Sequence, residues 1–168
     1  PLGPIVSGTM YPYNQTKLEF IGHDTYLTWT KETENAGDFR VSLASSTIVR
    51  VNRQEYASSS EIDLLEAFIY EPRSQQNLTV SWSREDHALS LFADRLGHMN
   101  MYQGKVSDPH ITYNMSYSYD YSPDIDLYLS VRNLTDVMPQ KDGGFGYPFF
   151  YQGVFSVFGR YASAGFNY

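Results

Sequence analysis

The chain has 168 residues, 16% of them aromatic, with 15 Tyr against 12 Lys and Arg together and a formal net charge of -7. An acidic chain without a basic tract argues against a nucleic-acid partner, and the absence of Cys excludes a disulfide frame, a thiol nucleophile and a thiolate metal site. A mean hydropathy of -0.41 and no long apolar run exclude a transmembrane helix, but not a transmembrane β-barrel, whose strands need apolar residues only at every second position.

The chain begins at Pro1 rather than Met, which reads as a processed product or as part of something larger. Residues 1–15 are rich in Pro and Gly and read as loop. Lys17 to Thr30 is the first predicted strand. Leu18 and Phe20 share one parity while Thr25, Leu27 and Trp29 take the other, so a bulge is expected near Gly22. Phe39 to Asn52 predicts a long second strand, with Phe39, Val41, Leu43, Val49 and Val51 on one face and Arg40, Ser42, Arg50 and Asn52 on the other. The connection 55–76 allows a short helix from Glu61 to Tyr70. Leu78, Val80 and Trp82 alternate with polar residues, Glu85-Asp86-His87 turns the chain, and Leu89, Leu91 and Ala93 return. A hairpin is preferred there to a helix over 84–96, because the turn is short and polar.

The clearest strand follows the loop 97–109. Ile111, Tyr113, Met115, Tyr117, Tyr119 and Tyr121 occupy one face without a break. Ser122-Pro123-Asp124 predicts a tight turn, after which Leu127, Leu129 and Val131 face one way. A long loop, 136–158, precedes a final alternating strand in which Ala162, Ala164, Phe166 and Tyr168 share a face. The connections thus run short, long, short, long, short, long. Membrane barrels have short turns on one side and long loops on the other; a soluble meander has no reason to. The expected fold is all-β: an antiparallel up-and-down meander of about seven strands over 16–168, an incomplete segment of a transmembrane β-barrel. Ile111, Tyr113, Met115, Tyr117, Leu127, Leu129 and Val131 are the expected lipid-facing residues. A soluble Tyr-rich β-sandwich that binds carbohydrate is the alternative. A small complete barrel is disfavoured by the odd strand count.

Tyr117-Ser118-Tyr119-Asp120-Tyr121, then Ser122-Pro123-Asp124, then Leu127 through Asn133-Leu134-Thr135-Asp136, Pro139, and finally Gly159-Arg160-Tyr161 to Tyr168 form a series. It resembles the C-terminal third of TonB-dependent outer-membrane receptors. The Asn-Leu-Thr-Asp and Gly-Arg-Tyr motifs at this spacing carry the resemblance. It implies a barrel of about 22 strands plugged by an N-terminal domain. It also implies location in the bacterial outer membrane and uptake of a bulky nutrient such as a siderophore, vitamin or oligosaccharide. The implied partners are outer-membrane lipid, the rest of the barrel and plug, the TonB complex and the barrel-assembly machinery, which would read Phe166 and Tyr168. This sequence has no plug, no coupling box and too few strands to close such a barrel, so it is expected to be the C-terminal part of a receptor. Ser163 stands where the family's assembly signal usually has Gly.

No enzyme chemistry is expected. His23, His87, His98 and His110 lack metal-ligand spacing. Asp24, Asp94, Asp120 and Asp126 read as a hydrated inner wall rather than as acid/base pairs. Gly143-Gly144-Phe145-Gly146 lacks the Lys-Ser/Thr ending of a phosphate loop. Asn14, Asn77, Asn114 and Asn133 open Asn-x-Ser/Thr triplets, which the placement of Asn114 and Asn133 in strands assigns to chance. Tyr147, Phe149, Phe150 and Tyr151 in the last loop are candidates for stacking on a ligand. No catalytic residue, metal or cofactor is assigned.

Overall fold

The computed structural model describes residues 16–65 and 70–168. Eight strands form one antiparallel sheet: β1 (Lys17–Lys31), β2 (Asp38–Gln54), the two-residue β3 (Ile62–Asp63), β4 (Ser74–Arg84), β5 (His87–Leu96), β6 (His110–Ser122), β7 (Ile125–Arg132) and β8 (Tyr161–Asn167). The order is β1-β2-β4-β5-β6-β7-β8, with β3 added beside the end of β2. Each long strand pairs with its neighbour in the sequence, as short polar turns and unbroken alternation require. The sheet is open: β1 and β8 lie at its two edges and do not pair. The meander expected from the sequence is the fold observed.

The hairpin predicted over 78–94 is present as β4 and β5, with the turn reduced to Glu85-Asp86 and Glu85 at φ 52. The short helix allowed from Glu61 is not formed at its start, where Ile62 and Asp63 instead pair with Arg53 and Asn52. β-Branched Ile62 next to an extended neighbour prefers the ladder. The remainder of that expected helix, 66–69, and the loop expected over 1–15 lie outside the described residues.

Registers across the sheet sort the side chains into two faces. Phe39, Trp82, Leu89, Tyr117, Leu129 and Ala164 are successive cross-strand partners. Trp29, Val41, Val80, Leu91, Met115, Val131 and Ala162 form the next apolar row. Between these rows, on the opposite face, Arg40, Ser81, Ser90, Ser116, Ser130 and Ser163 stand in line. Ser81 and Ser90 share a hydroxyl hydrogen bond of 2.9 Å. Ser163 is therefore the last member of a serine row on the polar face.

Two bulges break this order. At the end of β6, Asp120 pairs with Asp126 and Ser122 with Ile125, so Tyr121 is an extra residue outside the ladder and the face expected to run unbroken to Tyr121 is paired only as far as Tyr119. The other bulge lies between β1 and β2. Gly22 pairs with Ile48, but Ile21 pairs with Arg50, so Val49 is an extra residue on β2. The irregularity falls beside Gly22, as the sequence suggests, but on the partner strand. Alternation in β1 is thus unbroken, and it is β2 that reverses its faces. The expectation that Val51 shares a face with Val41 and Leu43 is corrected: Val51 moves to the face of its partner Phe20 and is only 2% exposed. Arg50 moves to the other face, 3.6 Å from Glu19. Lys17 lies 3.1 Å from Glu19 and 2.6 Å from Glu61. Beyond the bulge, charge replaces the apolar rows.

Among the described residues the buried apolar side chains are Val51, Leu64, Met99, Met101 and Phe150. Of these only Val51 belongs to a strand; the rest lie in the long connections. The sheet's apolar rows are exposed, with Leu27, Trp29, Leu91, Tyr113, Leu127, Leu129 and Phe166 all among the exposed large residues. No second layer covers them among the described residues.

Candidate functional site

The final connection, from Asn133 to Arg160, is the longest in the described chain and is closed at its base by the two motifs that bracket it. Asn133 ends β7 in the left-handed region, φ 52, and is 8% exposed. Asn tolerates that conformation because its short amide bonds locally. Its Nδ2 donates to the Val137 carbonyl at 2.9 Å, and the Val137 N–H returns a 3.0 Å bond to Oδ1. The Asn133 N–H donates to Asn114 Oδ1 at 2.9 Å. Asn133 is therefore a turn residue, not a strand residue as its sequence context suggests. Asp136, at φ 54, accepts the Arg160 N–H on Oδ1 at 2.7 Å. Arg160 Nη1 donates to the Leu134 carbonyl at 3.3 Å. A Cβ on Gly159 would lie 2.7 Å from Asp136 Oδ1, so the Gly leaves room for the Asp136 side chain as it is placed. Asn-Leu-Thr-Asp and Gly-Arg-Tyr are two halves of one clasp.

Higher in the loop, Asp142 is the organiser. It is 4% exposed. Its N–H donates to the Phe149 carbonyl at 2.6 Å, Oδ1 accepts the Gly144 N–H at 2.8 Å, and Oδ2 accepts the Tyr102 N–H at 3.1 Å. Burial works against its charge. Hydrogen bonds from the Gly144 and Tyr102 amides and the Tyr70 hydroxyl, with Lys105 nearby, outweigh burial and hold the carboxyl below its usual range. Tyr70 is pushed up, first by burial and then by the Asp142 carboxylate. Tyr70, Phe145 and Tyr151 gather beside it, with ring centroids 4.9 to 5.6 Å apart.

The sequence-selected loop aromatics take different places. Tyr147 is 88% exposed, and Phe149 is exposed with Lys141 Nζ 5.9 Å from its ring centre. Phe150 is buried with its ring 6.3 Å from Phe155. Tyr151 joins the Tyr70 cluster. A shallow cavity of about 280 Å³ is lined by Tyr147, Phe150 and Tyr151 among others. A second, of about 210 Å³, lies below Tyr151 against Met99, Met101, Met138 and His110. The largest, about 590 Å³, lies between this loop and the polar face of β5 to β8. Asp94, Asn114, Arg132, Phe92, Phe158 and Tyr161 are among its walls. Sequence reasoning placed Asp94 on an inner wall and Asn114 and Arg132 on the polar faces of their strands, but gave neither of the latter two a binding role. Their common signal is even parity opposite an apolar row.

At the far end of the sheet, Phe166 pairs with Leu127, and its ring lies 6.3 Å from that of Tyr168. Both are exposed. On the other face the Tyr128 ring covers Gly165, its cross-strand partner; any Cβ there would overlap the ring. Sequence reasoning missed this pair, since a Gly in a strand shows only that some close approach occurs. Ile111, Tyr113, Met115, Tyr117, Leu127, Leu129 and Val131 share one face through their registers. Among the described residues no group of three or more His, Cys, Asp or Glu could hold a metal. No protein-family model, curated protein or solved structure matches this chain.

Proposed function

We propose that this chain is the C-terminal barrel segment of a TonB-dependent receptor in the bacterial outer membrane, active in uptake of a bulky nutrient. The observation that carries this reading is the uncovered apolar face. A soluble sandwich would bury those rows against a second sheet, whereas a membrane barrel leaves them to lipid and keeps Ser, Asn and Asp toward water. From Ile111 to Tyr119 the ladder-paired apolar face of β6 runs about 27 Å along the strand at 3.4 Å per residue. Tilted by about 45°, that gives roughly 19 Å of height, most of the hydrocarbon band of such barrels. Replacement of the apolar rows by Lys17, Glu19 and Arg50 beyond Val49 agrees with a strand leaving the membrane on the long-loop side. The unpaired β1 and β8 edges are then closed by the rest of the barrel. The clasp between Asn-Leu-Thr-Asp and Gly-Arg-Tyr gives the motif resemblance a physical basis. A plug, the TonB complex and the assembly machinery, reading Phe166 and Tyr168, are the partners this reading entails. The chain performs no catalysis in it.

Trp29 and Trp82 test the orientation, because they are the chain's only two Trp and both lie on the apolar face. Refolded into vesicles containing brominated phosphatidylcholine, the chain should show strongly quenched Trp emission. A monodisperse, detergent-free monomer whose emission brominated lipid leaves unchanged would return the reading to a soluble sandwich.

A further inference from the structure

The 590 Å³ cavity holds two charges that meet no opposite charge among the described residues. Asp94, on β5, accepts from Asn77 Nδ2 at 2.6 Å and Asn114 Nδ2 at 3.0 Å, both neutral donors. Arg132, on β7, has its guanidinium 5.7 Å from the centre of the Tyr161 ring. Neither belongs to a salt bridge among the described residues. Charges facing a partly enclosed cavity lose hydration when it fills, so a ligand must replace what water supplied.

The arrangement selects the ligand's chemistry. A simple anion would meet Arg132 but also the Asp94 carboxylate. A neutral sugar would leave both charges uncompensated. A zwitterion satisfies both. Asp94 pairs with Thr112 while Arg132 stands beside Asn114, so the charges lie two inter-strand spacings apart across the sheet and two residues apart along it, about 12 Å in all. Three residues of extended peptide span about 10 Å, and a hydrogen bond of about 3 Å at each terminus covers the rest. Phe92, Phe158 and Tyr161 in the wall of the same cavity offer apolar surface for side chains, and the guanidinium fork matches a carboxylate.

We propose that this cavity binds a short apolar peptide of about three residues, its ammonium at Asp94 and its carboxylate at Arg132. This deepens the uptake reading and rests on it, since it makes the sheet's polar face the ligand's path. The peptide lies across β5, β6 and β7 under the final loop. Asn114 bridges the two ends: its Nδ2 holds Asp94, and its Oδ1 holds the Asn133 N–H at the base of the loop.

The test is calorimetry on the chain refolded in neutral detergent, with Ala-Phe-Ala as probe. N-acetylated, C-amidated and doubly blocked forms are compared with it. The free peptide should bind, and each block should weaken binding about tenfold or more, the scale of a charge-assisted bond. Asp94→Asn should abolish the effect of acetylation and keep that of amidation; Arg132→Gln should do the reverse. Arg132→Lys should restore part of the sensitivity to amidation. Equal binding of free and doubly blocked peptide overturns the proposal. So does absence of binding to a chain whose circular dichroism is β and whose Trp emission brominated lipid quenches, and that result leaves the membrane reading standing. Peptide binding by a chain that lipid does not quench supports the site and overturns the membrane reading.

Discussion

Asp142 shows how a single side chain organises an otherwise irregular segment. A loop this long contributes many backbone groups that no ladder satisfies, and a buried carboxylate can accept several of them at once. Asp142 takes the Gly144 and Tyr102 amides and so joins the final loop to the 97–109 connection. Its folded pKa lies below the ordinary value of 3.8. The sign follows: this stabilisation is complete above the unfolded pKa and is lost as pH falls through the lower folded value. A carboxyl-carbon titration by NMR should place the Asp142 midpoint below 3.8, and the Gly144 and Tyr102 amide shifts should move with the same midpoint. A midpoint at or above the ordinary value would sink this account. Asp142 was invisible in the sequence as an anchor, because nothing in Lys141-Asp142-Gly143-Gly144 says which distant amides it meets.

Among the strands, β7 separates the two faces most cleanly. Leu127, Leu129 and Val131 pair with Tyr119, Tyr117 and Met115, while Ser130 pairs with Ser116 and Ser163. Neighbouring positions on one strand should therefore respond oppositely to charge. In refolding into bilayers, Leu129→Arg should cost about 2–4 kcal/mol near the midplane, while Ser130→Arg, facing water, should cost little. Equal costs, read from denaturant midpoints in vesicles, would remove the proposed orientation. This alternation was legible because period two is a local property of an extended chain. The bulge between β1 and β2 was half legible. Broken parity in β1 called for one near Gly22, but parity cannot tell which strand carries the extra residue; the pairing of Gly22 with Ile48 and Ile21 with Arg50 decides it.

At the scale of the whole molecule, the sheet is a single layer with two open edges. Among the described residues, the outward-pointing N–H and C=O groups of β1 and β8, carried by every second residue, lack a ladder partner. For the chain alone in micelles, amide exchange should be slow throughout β5 and β6. It should alternate fast and slow along β1. Uniform protection of β1 would mean that another strand covers its edge, and would sink the open-sheet description in solution. In the proposed barrel the same edges are closed, and the alternation disappears. Among the described residues, Met99, Met101 and Phe150 are buried within the long connections at the long-loop end. The cavities at that end are bounded by residues far apart in the chain. Tyr70 and Tyr151 meet there, as do His110 and Phe155.

What the sequence determined by itself was the local content: extended strands, their alternating faces, the short polar turns and the alternation of short and long connections. Each follows from chemistry within a few residues, the reach of backbone sterics and side-chain periodicity. What only the tertiary structure decided was which residues meet across the strands. Ser81, Ser90, Ser116, Ser130 and Ser163 form a row because the registers agree. Tyr128 covers Gly165, Asp136 holds Arg160, and Asp94 and Arg132 line one cavity for the same reason. A one-residue slip in any ladder would separate these pairs and leave every strand's own pattern unchanged.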